Sequence, residues 1–183
     1  MNKAAFLDRD GVINKKAPGE GYITRAEELE LLPGVADAIV LLNRSGFLVI
    51  VVTNQRGIAR GLYSQADLAQ IHGKMKNELA AAGARLDAVY FCPHDREPPC
   101  PCRKPAPGML LAAAAEHHID LPNSWMIGDS ESDREAGTRA GCRTVTISDQ
   151  SLPVEDAFQD LRAESLLAAA KKIVSLAETL PSS

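Results

Sequence analysis

Five short apolar runs, each cut off by polar residues, restrict this chain's fold more than any other feature. They occupy positions 4–7, 48–52, 88–91, 125–127 and 144–147. Longer stretches with helical spacing lie between them, at 35–44, 65–82, 108–117 and 133–140. Gly46, Gly83 and Gly141 close three of these, and Ser64 with Asp67 opens the second at capping-box spacing. Continuous β-branched strands that alternate with helices predict an α/β fold. Its core is a Rossmann-like parallel sheet with helices on both faces. Leucines and alanines at helical spacing over about 161–180 predict a last helix packed outside that sheet. No internal repeat or low-complexity tract interrupts the pattern.

A length of 183 residues suits one domain covering 1–183. A net charge of −4 argues against a nucleic-acid partner, which normally meets a basic face. No apolar run approaches the ~20 residues of a membrane span, and no leader-like pattern opens the chain, so a cytoplasmic location is expected. With no exposed apolar stripe demanding a partner, a monomer is expected. Three of the four cysteines crowd together at Cys92, Cys100 and Cys102 beside His94, in a proline-stiffened loop over 92–102. A disulfide framework would spread its cysteines, whereas four soft or borderline ligands at this spacing fit a closed structural zinc site. Cys142 reads as core. His72, His117 and His118 read as surface or helix-end residues.

In open α/β sheets, ligands bind beyond the carboxyl ends of the strands. Asp8, Thr53 and Asp129 all fall there. Asp8 and Asp10, two residues apart in Asp8-Arg9-Asp10-Gly11, can converge on one centre as the chain turns. Thr53 offers a hydroxyl and Lys104 a fixed charge, both suited to the equatorial oxygens of a phosphoryl group. Asp129 and Asp133 supply carboxylates suited to Mg²⁺, a hard cation.

These residues, in this order, resemble the four motifs of the haloacid dehalogenase (HAD) superfamily: Asp8-Arg9-Asp10-Gly11, then Thr53, Lys104, and Gly128-Asp129 with Asp133. The resemblance covers about residues 4–147. It implies a covalent mechanism in which Asp8 is the nucleophile and Asp10 the general acid and base. Thr53 and Lys104 would stabilise the phosphoryl group. Mg²⁺ would be held by Asp8, Asp10 (through its carbonyl) and Asp129, with Asp133 orienting Lys104 or the ion's water shell.

HAD enzymes often carry a cap domain, but only about twenty residues separate Asn14 from Gly34, and a helix opens soon after Thr53. A capless site must draw its specificity from the loops at 15–22, 55–62 and 92–102. The run from Thr53 to Gly61, the Cys-x-His…Cys-x-Cys loop and the segment from Cys102 to Met109 resemble the D-glycero-D-manno-heptose 1,7-bisphosphate 7-phosphatase family. Members of that family supply activated heptose for lipopolysaccharide core or surface glycans. The resemblance implies a phosphorylated sugar substrate contacted by Arg9, Gly19, Glu20, Gly21, Tyr22, Asn54, Gln55, Arg56 and Arg103. Arg60 joins Arg56 and Arg103 as a candidate fork for a second phosphate. Two places depart from the family pattern: Ser130 follows the motif-four aspartate where lysine is common, and residues 15–18 lengthen a loop. A histidinol-phosphatase shares the zinc loop and capless core and stands as the alternative. A receiver-like phospho-acceptor domain and a silent interaction module are more remote.

Overall fold

The computed structural model describes residues 1–19, 21–148 and 160–179. Six parallel strands form one sheet: β1 (Lys3–Leu7), β2 (Phe47–Asn54), β3 (Ala88–Cys92), β4 (Trp125–Gly128), β5 (Arg143–Ile147) and β6 (Asp160–Ala163). They lie in the order β3-β2-β1-β4-β5-β6. Five helices cover the sheet: α1 (Val35–Arg44), α2 (Gln65–Ala81), α3 (Gly108–His117), α4 (Glu131–Ala140) and α5 (Leu166–Thr179).

Strand alternation divides the core into two layers. Ala5, Leu7, Val49 and Val51 face α1, α2 and α5, which contribute Ile39, Leu42, Ile71, Met75, Ala170 and Ile173. Ala4, Phe6, Ile50 and Val52 point the other way, onto Met109, Leu110 and Ala113 of α3 and Ala136 of α4. At about 25 cal/mol per Å² these two layers provide most of the folding drive. They also explain why the central strands tolerate apolar residues at every position.

Two expectations need correction. Residues 161–163, expected to begin a last helix over about 161–180, belong to the sixth strand instead, paired with β5 from Thr144↔Asp160 to Ile147↔Ala163. The helix starts at Leu166, and position 180 lies outside the described residues. Helix α4 also starts earlier than 133: the Ser130 N–H and hydroxyl both donate to Asp133 Oδ2, at 3.1 and 2.5 Å.

The sheet order puts the functional crevice in place. Strand order reverses between β1 and β4, because β1 connects onward to β2 on one side while β4 lies on its other side. Leu7 pairs with both Val51 and Ile127, and the Asp8 N–H reaches Ile127 O at 2.9 Å. The residues that follow β1, β2 and β4 therefore meet above the switch point. Residues 8–19 and 21–34 stay against the body, anchored by buried Val12, Ile13, Ile23 and Leu29.

Candidate active site

A buried ammonium sits at the centre of the site. Lys104, 3% exposed, comes from the loop before α3 and points Nζ at Asp8 Oδ1 (2.8 Å), Asp133 Oδ1 (2.6 Å) and Val52 O (2.7 Å). Burial works against its charge, but the two carboxylates outweigh burial and hold its pKa above the ordinary lysine value. Asn54 at the end of β2 fixes the backbone beneath. Its Oδ1 accepts from Lys104 N at 3.1 Å and its Nδ2 donates to Lys104 O at 3.0 Å. Asn54, expected to contact substrate, thus also clamps the lysine.

Burial pushes the Asp8 carboxyl up to about 7, with Lys104 pulling against it and Asp133 and Asp10 adding to the rise. Burial raises Asp129 as well, opposed by the Lys16 ammonium at 2.6 Å. Carboxylate oxygens of Asp8, Asp129 and Asp133 lie within 4.8 Å of one another. Gly11, at φ +93°, leaves room for this cluster: a Cβ there would stand 1.9 Å from Asp129 Oδ2. Gly128 does the same for Asp133, whose Cβ would be 2.1 Å from an added methyl. Oxygen donors, excess negative charge and a backbone trimmed to glycine fit a hard divalent cation. Asp133 gives Oδ2 to Ser130, while its buried Oδ1 faces the Lys104 ammonium with no hydrogen bond.

Asp10 stands beside this cluster in a cradle of donors. Arg9 reaches both of its oxygens at 2.9 Å, Asn14 Nδ2 reaches Oδ1 at 3.0 Å, and Gln55 Nε2 reaches Oδ2 at 3.2 Å. Gln55 also donates to Thr53 Oγ1 at 2.8 Å and accepts from Tyr63 Oη at 2.6 Å. Arg9, expected at the substrate, is 1% exposed and gives its guanidinium to Asp10. His72 is not the surface residue its helical pattern suggested. It is 8% exposed, with Nε2 3.4 Å from Arg9 Nη1. Burial, reinforced by Arg9, pushes its pKa down to about 3, so it is a neutral acceptor.

The outer residues divide by position. Gly19, Gly21, Tyr22 and Lys16 line a cleft of about 170 Å³ beside Asp10, while Glu20 lies outside the described residues. A cleft of about 210 Å³ holds Asp8, Thr53, Asp129 and Lys104. A larger one of about 410 Å³ opens next to it, lined by Arg96, Arg103 and Arg139. Arg103 donates to His94 O at 3.2 Å, Arg56 pairs with Asp95 at 2.5 Å, and Arg60 lies 3.5 Å from Tyr22 Oη. Arg56 therefore ties the loop after β2 to the cysteine loop.

That loop closes on itself. The Cys92, Cys100 and Cys102 sulfurs stand 3.2–3.5 Å apart, and His94 Nδ1 lies 3.6 Å from Cys92 Sγ and 3.3 Å from Cys102 Sγ. Tetrahedral zinc at about 2.3 Å from sulfur and about 2.0 Å from nitrogen needs edges of roughly 3.7 and 3.5 Å. The four atoms form such a cage, slightly contracted. Burial pushes the Cys92 thiol upward, so a thiolate there calls for a bound cation. Cys142 is buried in the core, as expected.

An aspartate pair after β1, a hydroxyl after β2, a buried lysine and an acidic cluster after β4, all at one switch point, define a HAD-type phosphohydrolase site. A HAD-hydrolase-like family model matches residues 101–168. The chain is 46% identical over 145 residues to a D-glycero-beta-D-manno-heptose-1,7-bisphosphate 7-phosphatase of Rhodopseudomonas palustris, covering 75% of this chain and 79% of that one. It is 42% identical to the Pseudomonas putida protein of the same name, covering 79% and 82%. The chain belongs to the D-glycero-D-manno-heptose-1,7-bisphosphate 7-phosphatase family. The solved D,D-heptose 1,7-bisphosphate phosphatase of B. bronchiseptica, complexed with magnesium and phosphate, superimposes with a TM-score of 0.85 at 34% identity, covering 95% of this chain and 99% of that one. These relatives do not favour the histidinol-phosphatase alternative. Among the described residues, no helix is long and apolar enough to cross a membrane.

Proposed function

We propose that this chain hydrolyses the 7-phosphate of D-glycero-D-manno-heptose 1,7-bisphosphate, and that the β anomer named by its relatives is the preferred form. The observation that carries this reading is Lys104 Nζ, buried and bonded at 2.8 Å to the aspartate that ends β1. A carboxylate held there faces an incoming phosphoryl group with a cation already at its side. Asp8 attacks phosphorus, and the sugar oxygen leaves with the electron pair of the broken P–O bond. Asp10 gives that oxygen its proton, then takes one from the water that attacks the aspartyl-phosphate. Thr53 and Lys104 bind the equatorial oxygens, where preorganised donors have their largest effect. Asp8, Asp129 and the Asp10 carbonyl would hold Mg²⁺, with Asp133 behind them. When bound, the ion neutralises charge between nucleophile and phosphate.

The cysteine loop runs from β3 into Arg103 and Lys104, so zinc there would brace the two cationic side chains against the substrate. Arg103 and the arginine-lined cleft of about 410 Å³ offer a place for the sugar's second phosphate. A soluble monomer in the cytoplasm, feeding activated heptose to surface glycan synthesis, is consistent with this chemistry. The test is phosphate release with Mg²⁺, comparing kcat/KM for both bisphosphate anomers and for histidinol phosphate. The β bisphosphate is expected to lead; a clear preference for histidinol phosphate would overturn the assignment.

A further inference from the structure

The residues that touch Asp10 are themselves held by two side chains the chemistry has not yet used. Tyr63, 7% exposed, donates to Gln55 Oε1 and so holds the carboxamide in the sense that the acceptor-only Asp10 carboxylate requires. Reversed, the amide would set its oxygen against the Asp10 carboxylate, which now receives an Nε2 hydrogen and has none to give. Tyr63 is in turn locked by its surroundings. Its ring lies 6.4 Å from that of Tyr22, and Gly57 packs so closely that a Cβ would come within 2.1 Å of its Cε1. On the opposite side, His72 gives the buried Arg9 fork an acceptor at 3.4 Å. Tyr63 precedes α2 by two residues and His72 lies within it, so one segment braces both flanks of the acid.

We propose that Tyr63 and His72 are positioning residues for Asp10. Tyr63 acts through Gln55, and His72 acts through Arg9. Neither touches substrate. Each keeps the Asp10 carboxyl aimed at the leaving oxygen, so that its proton reaches that oxygen as the P–O bond breaks. The inference rests on the acid role given to Asp10 above, and its test separates the two.

Proton donation matters most for a poor leaving group. An alkoxide needs the proton, whereas p-nitrophenolate departs without it. The measurement is therefore kcat/KM, which reads phosphoryl transfer and not the later hydrolysis common to both substrates, on heptose bisphosphate and on p-nitrophenyl phosphate, with melting temperatures, for Asp10→Asn, Tyr63→Phe and His72→Leu. Tyr63→Phe keeps the ring that packs on Tyr22 and Gly57, so its fold is retained. Asp10→Asn is expected to lose about 10²–10⁴-fold on the sugar phosphate and much less on the aryl ester. Tyr63→Phe and His72→Leu should each lose roughly tenfold more on the sugar phosphate than on the aryl ester, a fraction of the whole acid effect. If Asp10→Asn shows this split and one of the other variants loses both activities equally, or neither, that residue has no positioning role. If Asp10→Asn itself shows no split, the acid assignment falls and the inference falls with it.

Discussion

Replacing Lys104 by methionine tests charge balance, stability and catalysis together. Methionine keeps most of the stem's volume, so the lost quantity is the ammonium and its bonds to Asp8, Asp133 and Val52 O. Removing one partner of a buried ion pair costs about 3–5 kcal/mol, because the charge left behind has neither water nor counterion. Here Asp8 limits that cost. Its carboxyl already sits near 7, and without Lys104 it takes up a proton and neutralises itself. The net loss at neutral pH should then be about 3 kcal/mol, or roughly 6–12 °C in Tm for a chain of this size. The gap between wild type and variant should widen from pH 5.5 to pH 8, because Asp8 is charged in the wild type only toward the upper end. Urea denaturation without Mg²⁺ at both pH values measures it. Phosphate release should fall about 10²–10³-fold, the usual effect of losing a donor to a transferring group. A variant as stable as wild type, or one retaining a tenth of its turnover, would refute this account of the site's centre.

Three further outcomes follow from the same geometry. Gly11→Ala puts a methyl 1.9 Å from Asp129 Oδ2 at φ +93°, so Mg²⁺ titration should show half-saturation raised at least about tenfold and turnover cut by a similar factor. The cage of Cys92, His94, Cys100 and Cys102 should hold one zinc per chain. Stripping it, or making Cys100→Ser, should remove apparent stabilisation of the order of 10 kcal/mol, read by metal analysis and thermal melting. Asp8 binds its proton more tightly folded, near 7, than unfolded, near 3.8, so the unfolded chain ionises first. Without Mg²⁺, stability should fall as pH rises from about 4 to about 7 and then level off; Asp8→Asn should lack that slope, checked by melts across the range.

Much of this was legible in the sequence because apolar runs and the polar residues that end them are local signals. Asp8, Thr53 and Asp129 each follow a run buried on both faces, and parallel topology gathers them without further information. Strand β6 left no such mark. Asp160-Leu161-Arg162-Ala163 is an edge strand with a short apolar content, and it runs straight into the leucines and alanines of α5. The surroundings of His72 were hidden for a different reason. Helical spacing gives the face a residue occupies, but the buried group it meets, Arg9, lies 63 positions away. The motif marks Arg9 and Gln55 as substrate contacts; the hydrogen bonds both give to Asp10, beside the cleft they line, depend on groups distant in sequence.

In the proposed mechanism Asp8 carries the phosphoryl group between substrate and water. Acid quenching within the first turnover, with heptose bisphosphate labelled at the 7-phosphate, measures it directly. Label is expected on the peptide containing Asp8, discharged on longer incubation and absent from Asp8→Asn. Label on another residue, or phosphate released at the normal rate by Asp8→Asn, would contradict it.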